Sequence, residues 1–144
     1  MLVVYKLRKE IEKYINENYN ALQEYPWEKY PNFTTFKHVN NQKWFALVAD
    51  VPYEKLQINK DGVVDVINLK NIPEMIGSLR KEKGILPAYH MNKEHWITVL
   101  LDGTVEKQKI YDLIEISYDL TRKTINKKER EKENDWFTKS TGCV

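Results

Sequence analysis

Apolar residues recur at helical spacing through residues 3–20, where Val4, Leu7, Ile11, Tyr14, Ile15 and Tyr19 are separated by charged side chains; this predicts an amphipathic helix covering a sheet. The pattern then breaks. Residues 25–31 hold Pro26 and Pro31 together with Tyr25, Trp27 and Tyr30, so a continuous helix is excluded. An extended connector whose rings close one edge of the core is expected there, with an aromatic ligand cage as the alternative. Strand-type alternation follows at residues 33–39 and 43–51, joined by Asn40, Asn41 and Gln42, which suit a tight turn because Asn tolerates positive φ. The second of these strands, beginning Trp44-Phe45-Ala46-Leu47-Val48-Ala49, is apolar on both alternations and is expected at the centre of the sheet. A third strand is predicted over 63–69, after the turn at 60–62, with Val63, Ile67 and Leu69 on its core face.

Helical signals return at residues 73–81. Asn71 stands where an N-cap is expected, Pro73 lies in the first turn and Gly84 follows the end; Ile72, Met75, Ile76 and Leu79 form the inner face. A second hairpin is predicted over 86–101 with its turn at 92–94. A last helix is expected from near Thr104, whose hydroxyl would cap it, with Ile110, Leu113, Ile114, Ser117, Tyr118 and Leu120 as its buried stripe. The two hairpins share a seven-residue pattern, 52 positions apart: His38-Val39-Asn40-Asn41-Gln42-Lys43-Trp44 and His90-Met91-Asn92-Lys93-Glu94-His95-Trp96. Repetition of this kind predicts two related wings, each with a polar tip and a Trp opening its return strand. The fold class expected is therefore α+β, with helices on one face of an antiparallel sheet built largely from the two hairpins.

Composition narrows the picture. The 144 residues and 42% apolar content suit one domain, spanning 1–121, followed by a charged extension over 122–144 that either continues the last helix or is disordered. Trp136 and Phe137 are the apolar feature of that extension, and a loosely held tail is expected. Charge is uneven: residues 1–121 carry a net −1 and residues 122–144 a net +3, so the body offers no general basic excess. The single cysteine, Cys143, excludes an internal disulfide and a cysteine-based zinc site. The first residues become charged by Lys6 and no apolar run reaches membrane-spanning length, so a soluble cytoplasmic protein is expected, with no membrane partner.

The strings YPWEKYPNFTTFKHVNNQKWFALV, ILPAYHMNKEHWITVLLDGTV and LIEISYDLT resemble the MmcQ/YjbR family of small bacterial proteins, over roughly residues 8–121. The resemblance implies a fold similar to CyaY, the bacterial frataxin, with two wing-like hairpins on an antiparallel sheet. Members are often labelled DNA-binding, a label tied to the shape of the wings and to fusion with regulator domains. Iron handling does not transfer with the fold, because the first helix mixes Glu10, Glu12 and Glu17 with Arg8, Lys9 and Lys13 where frataxins carry an acidic ridge.

On this reading the wing tips supply Lys37, His38, Asn40 and Lys43 from one hairpin and His90, Asn92, Lys93 and His95 from the other, donors suited to phosphate oxygens and base edges. The leading expectation is a DNA-binding, non-enzymatic module, with a regulatory role implied by the resemblance. The alternative is a protein-interaction or small-ligand module using the cleft between the wings, where Tyr89, His90 and Asn92 would matter. His38, His90 and His95 lack a carboxylate or thiol to complete a ligand set, so no metal and no cofactor is expected. No Gly-rich phosphate loop, GxSxG or HExxH occurs, and catalysis is not expected, the alternative being a site assembled by folding from His90, His95 and Glu94 at the second hairpin. Trp44 and Trp96 are expected to form a paired aromatic core at the roots of the wings.

Overall fold

The computed structural model describes residues 2–122, with side chains from Leu7 onward; the C-terminal extension and its Trp136, Phe137 and Cys143 lie outside the described residues. The first amphipathic stretch forms α1 (Leu2–Asn18), which ends where the Asn18 amide donates to the Tyr14 carbonyl. Six strands follow: β1 (Ala21–Glu24), β2 (Thr34–His38), β3 (Trp44–Pro52), β4 (Val63–Lys70), β5 (Ile85–Pro87) and β6 (Trp96–Leu100). They form one antiparallel sheet in the order β1-β2-β3-β4-β6-β5. A 3-10 turn (Tyr53–Leu56) and α2 (Pro73–Leu79) lie between strands, and α3 (Lys107–Thr121) closes the described chain. The α+β class is as the pattern predicts.

Both helical stripes meet the same sheet face. Ile11 and Ile15 of α1, with Ile110, Leu113 and Ile114 of α3, pack on Phe36, Phe45, Val48, Ile67, Leu69, Ile97 and Val99. The opposite face has a smaller core of Ala49, Val51, Tyr53, Val64, Val66 and Leu100, covered by loop residues including Phe33, Leu56, Ile58 and Tyr89. Central strands apolar on both alternations require this second cover. Val63, expected in the core, is instead exposed at the start of β4, and Val64 and Val66 on the other alternation are buried.

Local differences have local causes. The edge strand β1 has only four residues, too few to carry a period-two signal in the sequence. Ile72, not Asn71, flanks α2; the Asn71 carboxamide oxygen accepts the Ile72 N–H at 2.8 Å, and Ile72 and Met75 are exposed while Ile76 and Leu79 are buried. The last helix starts at Lys107 rather than near Thr104, because Asp102 accepts the Thr104 N–H at 3.0 Å and holds a turn there. Gly84 is at φ +89, and a Cβ there would lie 2.6 Å from Val105 Cγ2, so this turn requires glycine.

One irregularity sets the chemistry of the sheet's end. Phe36 pairs with Ala46 but Lys37 pairs with Trp44, so Phe45 is an extra residue in β3. This bulge sends both Phe45 and Ala46 to the helical core and reverses the parity beyond them. Trp44 therefore shares the non-helical face with Leu47, where simple alternation would have directed it to the helices.

Candidate functional site

Both hairpin tips emerge at one end of the sheet, since Lys37 pairs with Trp44 and Lys70 with Trp96. On the non-helical face at that end lies a cavity of about 320 Å³. The segment between β1 and β2 supplies Trp27, Tyr30 and Phe33; β3 supplies Trp44 and Leu47; the loop after β5 supplies Tyr89, His90 and Met91. The cleft between the wings is thus an aromatic one.

The rings of the first segment converge for a stated reason. Tyr30 N–H donates to the Trp27 carbonyl and Phe33 N–H to the Tyr30 carbonyl, both at 3.1 Å, so two successive turns of three residues carry every third side chain to one side. The expected extended connector is therefore a double turn, with Pro26 and Pro31 beside its bends. Trp27 meets Trp44 edge-on, with centroids 5.6 Å apart, and also Phe33 at 6.2 Å; Tyr30 stacks on Phe33 at 5.0 Å. The Trp44 ring contact is thus Trp27, while Trp96 lies fully buried two strands away, and no paired Trp core forms among the described residues.

The opposite wall is held by a polar clasp. Thr98 Oγ1 accepts the Tyr89 N–H at 2.8 Å and donates to Asn68 Oδ1 at 2.5 Å, while the Asn68 amide donates to the Tyr89 carbonyl at 2.8 Å. Asn68 and Thr98 are buried and adjacent across β4 and β6. All three bonds close a ring that fixes the backbone carrying Tyr89 and His90. His90 follows in the left-handed region, φ 59, and its exposed imidazole stands 4.1 Å from the Tyr89 ring, centroid to centroid. Sequence reasoning missed Asn68 and Thr98; the available signal was a polar residue in the otherwise apolar alternation Val64, Val66, Asn68.

The wing-tip residues do not share one environment. Lys37 is paired with Glu24 at 3.0 Å. His38, expected at an exposed tip, is buried against α3: its Nε2 lies 2.7 Å from Thr121 Oγ1, and its ring sits 4.3 Å from Tyr118. Thr121 directs its own hydroxyl proton to the Ser117 carbonyl, which leaves the imidazole as the donor in this contact. Burial pushes the His38 pKa down to about 4, so the ring is neutral at ordinary pH and takes no part in a surface. Asn40 is exposed at the first tip and Lys43 half-buried at its base. In the second loop Asn92 is spent on its own turn, its side chain accepting the Glu94 N–H and its carbonyl the Trp96 N–H. Lys93 is exposed, and the half-buried His95 accepts the Asn71 N–H through its carbonyl. His38 faces the helices and His90 the other side of the sheet, so the three imidazoles do not converge; among the described residues no group of three or more His, Cys, Asp or Glu is placed to hold a metal. No helix among the described residues is long and apolar enough to cross a membrane.

A family model described as YjbR matches residues 9–120. The uncharacterised protein YyaQ of Bacillus subtilis (strain 168) is 45% identical over 115 residues, covering 80% of this chain and 98% of its own length. The uncharacterised protein YjbR of Escherichia coli (strain K12) is 42% identical over 53 residues, 36% of this chain and 45% of its own. A crystal structure of a Pseudomonas syringae protein superposes with a TM-score of 0.78 at 53% identity, covering 80% of this chain and 98% of that one. A Deinococcus radiodurans protein with a DUF419 domain gives 0.62 at 29% identity, with 86% and 85% covered.

Proposed function

We propose that this chain, which belongs to the YjbR family, is a binding module that takes a small planar ligand into the aromatic cleft between its two hairpins. The observation that carries this reading is the convergence of Trp27, Tyr30, Phe33 and Trp44 with Tyr89 and His90 around one cavity of about 320 Å³. Its volume falls within the range of small-molecule sites, and its walls are ring faces with an imidazole at the lip. Such walls gain most from a flat apolar partner that stacks or meets them edge-on. They offer one imidazole and two phenols, with no thiol, aliphatic hydroxyl or carboxylate lining the cavity among the described residues, which favours binding over catalysis.

DNA binding through the wing tips is less well supported, because Lys37 is neutralised by Glu24 and His38 is internal and uncharged. Two titrations on the full chain separate the readings. Neutral aromatic fragments are followed by the fluorescence of Trp27 and Trp44, and random duplex DNA by anisotropy at low and physiological salt. Fragment binding abolished by Tyr89→Ala, alongside weak duplex binding, is the expected result. Salt-sensitive duplex binding that Lys43→Ala and Lys93→Ala flatten, with no fragment bound, would overturn the cleft and return the function to the tips.

A further inference from the structure

We infer that the ligand is a small aromatic anion, whose ring enters the aromatic cleft and whose acidic group seats between Lys55 and Lys93 in an adjoining groove. The inference rests on the reading of the cleft as a ligand site and adds the charge that its ligand must carry.

Beside the aromatic cleft lies a second cavity of about 460 Å³, and Tyr89 and His90 belong to the walls of both. The floor of this groove is apolar, made by Leu56 from the 3-10 turn and by Leu86, Pro87 and Ala88 from β5 and the loop after it. Its rim carries two cations from different parts of the chain. Lys55 comes from the 3-10 turn, which Gln57 ends at φ 62, and Lys93 from the loop that leads into β6. Among the described residues no carboxylate lines either cavity. Lys37, Lys107 and Lys109 elsewhere on the surface are neutralised, by Glu24, Glu10 and Glu82. Lys55 and Lys93 have no such ion pair among the described residues.

The arrangement is bipartite. An apolar ring alone would be satisfied by the aromatic cleft and would leave the lysine-rimmed groove unused, whereas a simple anion would find no enclosing walls between two exposed side chains. A molecule that joins the two parts past the Tyr89–His90 wall uses both. The Asn68–Thr98 clasp keeps that wall in place, so the boundary shared by the two cavities is shaped before the ligand arrives.

A matched pair of dyes tests this. Anilinonaphthalene sulfonate carries a ring system and an anion; phenylnaphthylamine has the same rings without the charge. Each is titrated by fluorescence into the full chain at low and physiological salt. The sulfonate is expected to bind more tightly, and the Lys55→Gln/Lys93→Gln double variant to lose about tenfold in sulfonate affinity, near the upper end for two exposed ion pairs, with the neutral dye unaffected. Salt should weaken the sulfonate alone. Equal affinities for the two dyes, or equal losses in the double variant, would overturn the anion site while leaving the aromatic cleft standing. Failure of both dyes to bind, or binding indifferent to Trp27→Ala and to the exposed-site variant His90→Ala, would overturn both. Urea midpoints of the variants, expected to match the parent for exposed positions, show that dye is reading the native state.

Discussion

Replacing His38 by Gln tests the claim that the first histidine of the repeated pattern is a buried strut. Burial lowers its pKa from 6.5 to about 4, so the native state resists protonation while the unfolded chain accepts a proton. The unfolded state then binds more protons between those values, and stability rises with pH across the window. The contribution is complete above pH 6.5 and is lost as pH falls toward 4. Two and a half pH units at about 1.4 kcal/mol each set a ceiling of about 3.5 kcal/mol, of which roughly 2 kcal/mol is gone by about pH 5. Glutamine keeps an amide donor for Thr121 and cannot titrate. Urea unfolding of both proteins, followed by Trp fluorescence at about pH 8 and about pH 5, should show the parent losing roughly 2 kcal/mol more than His38→Gln. The carboxylates titrate in both proteins and drop out of the difference. Proton NMR of the imidazoles gives a second reading that needs no variant: His38 should stay neutral through pH 5. Identical pH dependence in the two proteins, or a His38 midpoint near 6.5, would refute the burial argument.

Two further outcomes follow from the clasps around the cleft. Thr98→Val keeps the shape of the side chain but leaves the Tyr89 N–H and Asn68 Oδ1 without their partner, which should cost about 2–3 kcal/mol in urea unfolding and weaken fragment binding more than Asn40→Ala does. At the other end of the sheet, Arg8 bonds Glu12 and Asp65, each at 3.2 Å, and also donates to the Asn32 carbonyl in the segment that carries the rings. Arg8→Met should destabilise by about 3–5 kcal/mol, because it leaves the nearly buried Asp65 without its cation and Glu12 with only the longer Lys9 contact at 4.0 Å. Asp65 is already held above the usual carboxylate range by burial, with Arg8 opposing the shift. Stability linked to Asp65 is present below its unfolded pKa and is lost as pH rises through the folded one, so the Arg8→Met deficit should shrink in acid; a deficit independent of pH would count against the pairing.

Much of this protein is legible in the chain itself. Helical periodicity locates α1 and α3, the doubly apolar run of β3 places it inside the sheet, and the second hairpin is visible as strand, polar turn and strand. These features are local, since period and turn chemistry are written in neighbouring residues. The site is different. The repeated pattern gives His38 and His90 the same text, yet one is sealed under Thr121 of α3, 83 residues away, and the other stands exposed in a left-handed turn beside the cleft. Trp44 reaches that cleft because a bulge at Phe45 reverses its parity, and a bulge is a property of how β3 pairs with β2 rather than of either strand alone. Composition and spacing determined which residues were aromatic, cationic or capable of clasping a loop. Which of them meet was decided by register and by the distant elements packed against each strand, because one residue of slip turns a side chain from core to cleft.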